Sequence, residues 1–300
     1  MRPNCEIDTI QTVNFGVGRD DDQSFVIVPA DGSVQDALKE MLVATCEAME
    51  RLGEPRKYEP SEKHESVEFL YLSTNDPLAQ ALLDLHAAAN LPVDAAALEN
   101  SEYIFSYFGQ FIDANGKRVT ALRRASQFKG ILKNKNRLMR IIDDTLEIIP
   151  DNVFKLDTEF DLLIDDDNVL ILRPGGFESA GKLKDAILAA VPENIDTLRQ
   201  EISFVNFDSI MEYARTRSRA ARHLASIRSH PNNDKITIDR LQAWCKRTGV
   251  EVNVMDGCIS VAEKHEMAFL ELLDRRRYDV DLTEDPEIYR APSRIRVNRQ

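Results

Sequence analysis

The chain has 300 residues, 43% of them hydrophobic and 30% charged, with a formal net charge of -13. Apolar residues recur through every hundred-residue window, which excludes a disordered chain. No run of roughly 18 apolar residues occurs, which excludes a helical membrane span.

The opening "MRPNCEIDTIQ" carries no basic segment ahead of an apolar stretch, so no secretory signal is expected. Four scattered cysteines, Cys5, Cys46, Cys245 and Cys258, form no C-x-x-C pair and suit a reducing, cytosolic compartment.

The first elements read as strand, turn, strand, helix: "EIDTIQTVNF", "QSFVIVP", then Val34, Leu38, Met41, Leu42, Cys46 and Met49 at helical spacing behind a Ser33 cap. Gly16 and Gly18 in "FGVGRDDD" predict a tight hairpin turn. A phosphate loop is excluded there, because its lysine is missing and Asp20, Asp21 and Asp22 repel a phosphate. "VEFLYLS" reads as a buried strand, and Asp76-Pro77 opens a helix carrying Leu78, Leu82, Leu85 and Ala89.

From Tyr103 the pattern becomes a β-meander, "YIFSYFGQFI", "KRVTALRR", "TLEIIP", "VFKLDTEFDLLI" and "NVLILRP", with Asn115-Gly116 as its strongest hairpin signal. Beyond Gly175-Gly176 the chain turns helical. A long helix is expected from about Phe207 to Ser229, started by a Ser209/Glu212 box and ended by Pro231. A helix near Ile238–Thr248, the hairpin "VEVNVMDGCISV", a helix through Met267, Leu270 and Leu273, and the strand "RRRYDVDL" follow.

The reading is α+β: an N-terminal mixed α/β part and antiparallel β-meander over residues 1–175, then a mainly helical basic part with a β-hairpin over 176–300.

No catalytic signature emerges. His265-Glu266 lacks the second histidine of a helical zinc site, no G-x-S-x-G elbow occurs, and no cofactor or metal is implied. The acidic run "DTEFDLLIDDDN" offers Asp157, Glu159, Asp161 and Asp165 to Asp167 as candidate ligands for a metal-dependent nuclease. The Glu-x-Lys that completes a common nuclease core is absent from "NVLILRP". Asp157, Glu159 and Asp161 instead alternate along one expected strand face, and Asp165 to Asp167 fill a turn.

Charge is unevenly distributed. Residues 1–100 hold nineteen acids against seven bases, whereas residues 117–140 hold nine Lys or Arg and no acid. Nine bases face Asp234 and Asp239 between Arg215 and Arg247, and Arg275 to Arg277 with the tail "YRAPSRIRVNRQ" form a third basic segment. With a Debye length of about 8 Å at cellular salt, distant acids do not cancel such surfaces.

As a helix, "SQFKGILKNKNRLMRII" puts Lys129, Lys133, Arg137 and Arg140 within about 80° of arc, and Arg123 and Arg124 adjoin them from the preceding strand. On the long helix Arg215, Arg219 and Arg222 share a side. Arginine guanidinium groups keep their charge and present forked donors, and together with Lys129 and Lys133 these nine residues are the candidate DNA phosphate contacts. The alternatives are a solvated or internally paired surface, the nuclease, and an adaptor whose basic faces meet only protein.

The wording of "RASQFKGILKNKNRLMRIIDDTLEIIPDNVFKLDTEFDLLIDDDNVLILRP", "RAARHLASIRS" and "LLDRRRYDVDL" resembles the KwaB family of the Kiwa anti-phage defence system over roughly residues 100 to 290. The resemblance implies a cytoplasmic, DNA-binding antiviral effector that dimerises and joins a small membrane protein, KwaA, at the inner membrane face. It carries over no catalytic residues. The acidic first hundred residues are then expected to restrain weak DNA association or to face the membrane partner's basic loops.

Overall fold

Residues Ile10–Arg19 form a ten-residue strand, β1, whose Val13, Phe15 and Val17 point into the core. Gly16 and Gly18 sit inside this strand and not in the expected turn. A Cβ on Gly16 would lie 2.2 Å from the Phe108 ring and 2.6 Å from the Val26 carbonyl oxygen, so close sheet packing explains this glycine.

In the computed structural model the described residues are 1–19, 24–87, 91–98, 103–125, 139–142, 145–148, 155–280 and 287–291. They divide into two compact units, Met1–Tyr58 with His64–Leu183, and Glu59–Lys63 with Lys184–Gln300.

The first unit is built on an eight-stranded sheet. After β1 come β2 (Phe25–Val28), β3 (Arg56–Lys57), β4 (Leu70–Ser73), β5 (Ile104–Asp113), β6 (Arg118–Arg124), then the separate hairpin β7 (Met139–Ile142) and β8 (Thr145–Ile148), then β9 (Leu162–Ile164) and β10 (Asn168–Ile171). Their order in the sheet is β2-β1-β5-β6-β9-β10-β4-β3, antiparallel except for β3 beside β4. The β5–β6 hairpin turns at Asn115-Gly116 as expected. Gly116 has φ +78°, and Asp113 accepts from the N–H groups of Asn115 and Lys117 at 2.8 and 2.9 Å.

Helix Gly32–Leu52 lies on one face of this sheet, with Leu38, Met41, Leu42, Cys46 and Met49 in the core shared with Phe15, Tyr107 and Phe111. Each such large side chain contributes about 1.5–3 kcal/mol on full burial. Its cap is Asp31 and not Ser33. The helix begins at Gly32, so the carboxylate just ahead of it reaches the Val34 N–H at 2.9 Å, and Ser33 donates to Asp31. Helix Gln80–Ala87 follows a 3-10 turn capped by Asp76 and covers the other face, where His86 meets Thr120 at 3.1 Å.

Two expectations in the meander need correction. Arg140 belongs to strand β7, opposite Glu147 in β8, so the helix foreseen for that segment does not reach it. β-Branched Ile141, Ile142, Thr145 and Ile148 favour the pleated form there. Asp157, Glu159 and Asp161 do not share a strand face either, since the strand starts only at Leu162. The turn at Asp165 to Asp167 is as expected, with Asp165 accepting from the N–H groups of Asp167 and Asn168.

The second unit is mainly helical, with Lys184–Ala189, Val191–Glu201, Asp208–Ala214, Ser218–Arg228, Ile238–Arg247 and Glu266–Leu273. The single long helix expected from Phe207 is two helices. They break at Arg215-Thr216-Arg217, where Arg217 adopts extended backbone (φ -133°, ψ 101°) and its guanidinium turns back onto the Tyr213 carbonyl and ring. No Ser209/Glu212 box starts the first of them, because the helix begins at Asp208 and leaves Ser209 inside its first turn; Asn206 accepts from the Asp208 N–H at 2.9 Å.

Strand β11 (Val205–Asn206) pairs in parallel with β13 (Cys258–Val261), which forms a hairpin with β12 (Val252–Met255). Strand β14 (Arg277–Val280) pairs with β15 (Glu287–Arg290). The chain is therefore α+β, with a large antiparallel-rich sheet, a helical C-terminal part and a C-terminal β-hairpin.

Candidate nucleic-acid interface

Arg123 is only 17% exposed at its side chain and is engaged within the first unit. Its Nε donates to Asp157 at 3.0 Å and its Nη1 to Asp161 at 2.5 Å. Asp161 also accepts from the Arg124 N–H at 2.8 Å, and the Tyr107 hydroxyl donates to Asp157 at 3.1 Å. Burial pushes the Asp161 carboxyl above the usual range, opposed by the adjacent Arg123 guanidinium. Arg173 binds Glu159 and the Phe160 carbonyl.

This network ties the end of β6 to the segment entering β9. It engages Arg123, whose guanidinium meets Asp157 Oδ2 and Asp161 Oδ1, two of the oxygens offered in the sequence as nuclease-metal ligands. Among the described residues no group of three or more His, Cys, Asp or Glu is placed to hold a metal ion.

The second unit has a comparable knot around Asp274, which is fully buried. Its carboxylate meets His223 Nδ1 at 2.8 Å, Ser226 Oγ at 2.6 Å, His230 Nε2 at 3.0 Å and Arg276 Nε at 2.6 Å. Ser226 donates its hydroxyl proton to this carboxylate, so Asp274 gathers one hydroxyl, two imidazoles and one guanidinium. The cysteines are free thiols, and burial pushes those of Cys46 and Cys245 up to about 12.

The other sequence-derived cations fall into three groups. Lys129, Lys133 and Arg137 lie outside the described residues, and of Arg140 only the strand position is described. Arg124 and Arg215 are exposed. Arg219 is exposed too, but one of its nitrogens is 3.0 Å from the buried carboxylate of Glu271. Arg222 is half-buried on the same helix as Arg219, while Arg215 lies in the break, as the C-cap of the preceding helix.

A feature missed in the sequence joins two of its basic segments. Lys235 and Arg240 from the second segment and Arg275 and Arg277 from the third line one cleft of about 460 Å³, together with Trp244 and Tyr278. Ile236, Leu241, Leu272 and Leu273 supply apolar wall. Helix Ile238–Arg247 presents Arg240 and Trp244 one turn apart, on the same side.

The lining holds four cations and, among the described residues, no carboxylate. The hydrogen-bond partners of three of these cations are neutral: Lys235 donates to Asn232 Oδ1, Arg275 to the Pro231 carbonyl at 3.1 Å and Arg277 to the Thr248 carbonyl at 2.9 Å. Among the described residues no carboxylate is paired with any of the four, in a chain of net charge -13. Other arginines of the second unit differ: Arg247 is held by Asp279 at 2.7 Å, Arg228 by Glu193 at 2.7 Å, and Arg199 by Asp208 at 2.6 Å. The sequence signal was present in "DRRRYDV", but its meeting with Arg240 depends on tertiary structure.

The fold and this cleft define an α+β protein with an exposed, aromatic-lined cationic site. Compared with known families, residues 105–283 match the family described as Kiwa protein KwaB-like. The match spans more than half of the chain, and the chain belongs to that family. Comparison with curated proteins and with solved structures finds no match. Membership places the chain in Kiwa anti-phage defence. Among the described residues no helix is long and apolar enough to cross a membrane.

Proposed function

We propose that the chain is an antiviral effector that holds DNA mainly through phosphate contacts, as a homodimer working with a KwaA-like membrane partner that recruits it from the cytoplasm to the inner membrane face. The observation that carries the DNA reading is the cleft, where four cations from two separated segments stand together without a carboxylate among the described lining residues. Lys235, Arg240, Arg275 and Arg277 join Arg124, Lys129, Lys133, Arg137, Arg140, Arg215, Arg219 and Arg222 in the proposed contact set. Arg123 leaves it, because its guanidinium is committed to Asp157 and Asp161.

A mobility-shift titration of duplex DNA against salt tests the reading. If about six phosphates are neutralised, the logarithm of affinity falls with the logarithm of salt with a slope of about -5. The Lys129→Glu/Lys133→Glu/Arg137→Glu variant should bind more weakly and with a shallower slope. A salt-independent shift, or an unchanged slope in both that variant and Arg240→Glu, overturns phosphate clamping by these residues.

A further inference from the structure

The cleft combines features that phosphate clamping alone does not need. Backbone contacts call for cations on an open surface, whereas this site adds a concavity of about 460 Å³ with aromatic and aliphatic walls. That volume lies within the range of small-molecule pockets, about 300–1,000 Å³. Trp244 is 39% and Tyr278 40% exposed, so both rings keep accessible surface.

Both aromatics are also fixed in place. The Arg247 guanidinium stands 4.6 Å from the Trp244 ring centroid and is itself anchored by Asp279. Tyr278 stacks on Tyr289, centroids 6.1 Å apart and planes 25° off parallel. Flat, apolar, preorganised rings beside these guanidinium groups match a ligand with a π-face at one end and a phosphate at the other.

We propose that this cleft binds a single nucleoside phosphate unit, its base against Trp244 and Tyr278 and its phosphate among Lys235, Arg240, Arg275 and Arg277. The unit is either a free nucleotide or one unpaired nucleotide of a DNA strand. For the second source the proposal rests on the DNA reading above.

Trp244 is the chain's one tryptophan, so indole emission reports on this site alone. The full chain is titrated with dAMP, with inorganic phosphate, and with a single-stranded oligonucleotide, intact or carrying abasic positions throughout. A base stacked on the indole quenches saturably, so dAMP or the intact strand should quench while phosphate and the abasic strand do not. Quenching by dAMP alone assigns the cleft to free nucleotides, and quenching by the intact strand assigns it to DNA.

Lys235→Glu/Arg240→Glu replaces two exposed cations and should weaken the quenching ligand about tenfold or more, with the circular dichroism spectrum unchanged. Absence of saturable quenching by both dAMP and the intact strand overturns the proposal. So does an apparent affinity unaltered by the double substitution.

Mobility shifts of duplex DNA on the same samples keep the two readings apart. A retained, salt-dependent shift without quenching removes the nucleotide cleft and leaves phosphate clamping standing. Quenching by dAMP without any shift does the reverse.

Discussion

Replacing Arg123 with methionine keeps much of the side chain's length while removing its charge, and so tests whether the 157–161 segment is a structural tie. Asp161 loses its nearest cation, at 2.5 Å, and Asp157 loses a donor at 3.0 Å. Breaking a buried pair from one side costs about 3–5 kcal/mol, because the remaining charge stays buried. Two features place the expectation at the lower end, about 3 kcal/mol. Asp161 keeps the Arg124 N–H, and Asp157, 21% exposed at its side chain, keeps both the Tyr107 hydroxyl and some access to water.

With an m-value of about 2 kcal/mol per molar urea, the midpoint of the first unit should fall by about 1.5 M. The deficit should also depend on pH. Burial already holds the Asp161 carboxyl above its ordinary value in the folded chain, so its contribution is fully present below the unfolded value and is lost as pH rises through the folded one. Without Arg123 the folded value climbs further. The variant's deficit is then largest near neutrality and shrinks on acidification as Asp161 takes up its proton. Urea titrations followed by circular dichroism at neutral pH and near pH 4 measure both effects. A penalty below about 1 kcal/mol, or one equal at the two pH values, refutes the assignment of this pair as a buried tie.

Two further substitutions probe the scaffold. Asp274→Ala removes the acceptor shared by His223, Ser226, His230 and Arg276 and should cost the second unit about 3–5 kcal/mol, seen as an earlier urea transition. An unshifted transition would show that these four groups find other partners. Gly16→Ala drives a methyl group into the buried Phe108 ring and against the fixed Val26 carbonyl, so thermal unfolding should show a loss of about 1–3 kcal/mol. A variant as stable as the parent would mean that the sheet relaxes around the added carbon.

Local chemistry carried the parts of the fold that were legible in the sequence. Asn115-Gly116 specified its hairpin because only a few residues adopt positive φ readily, and the Leu38, Met41, Leu42, Cys46, Met49 spacing specified a helix face. Non-local competition decided where the reading failed. Gly16 and Gly18 resemble turn residues until the Phe108 and Phe105 rings are brought against them from a strand ninety residues away. Asp161 fits an alternating strand face until Arg123 and the Arg124 N–H claim its carboxylate. The Arg215–Arg217 break carries no Pro or Gly, so nothing in its composition marks the end of a helix.

The same competition explains why a run of positive charge is a poor guide to a binding surface until its partners are known. A carboxylate about 3 Å from a guanidinium cancels most of its field within a Debye length, so Arg199, Arg228, Arg247 and Arg276 add little potential at a distance despite enriching the sequence in arginine. Lys235, Arg275 and Arg277 are oriented by neutral oxygens, which fix the side chain without spending its charge. Among the described lining residues no carboxylate would compete with a phosphate for these cations. The density of arginine across 215–247 thus overstates the available charge, whereas the short segment around Arg275 supplies half of the cations that line the cleft.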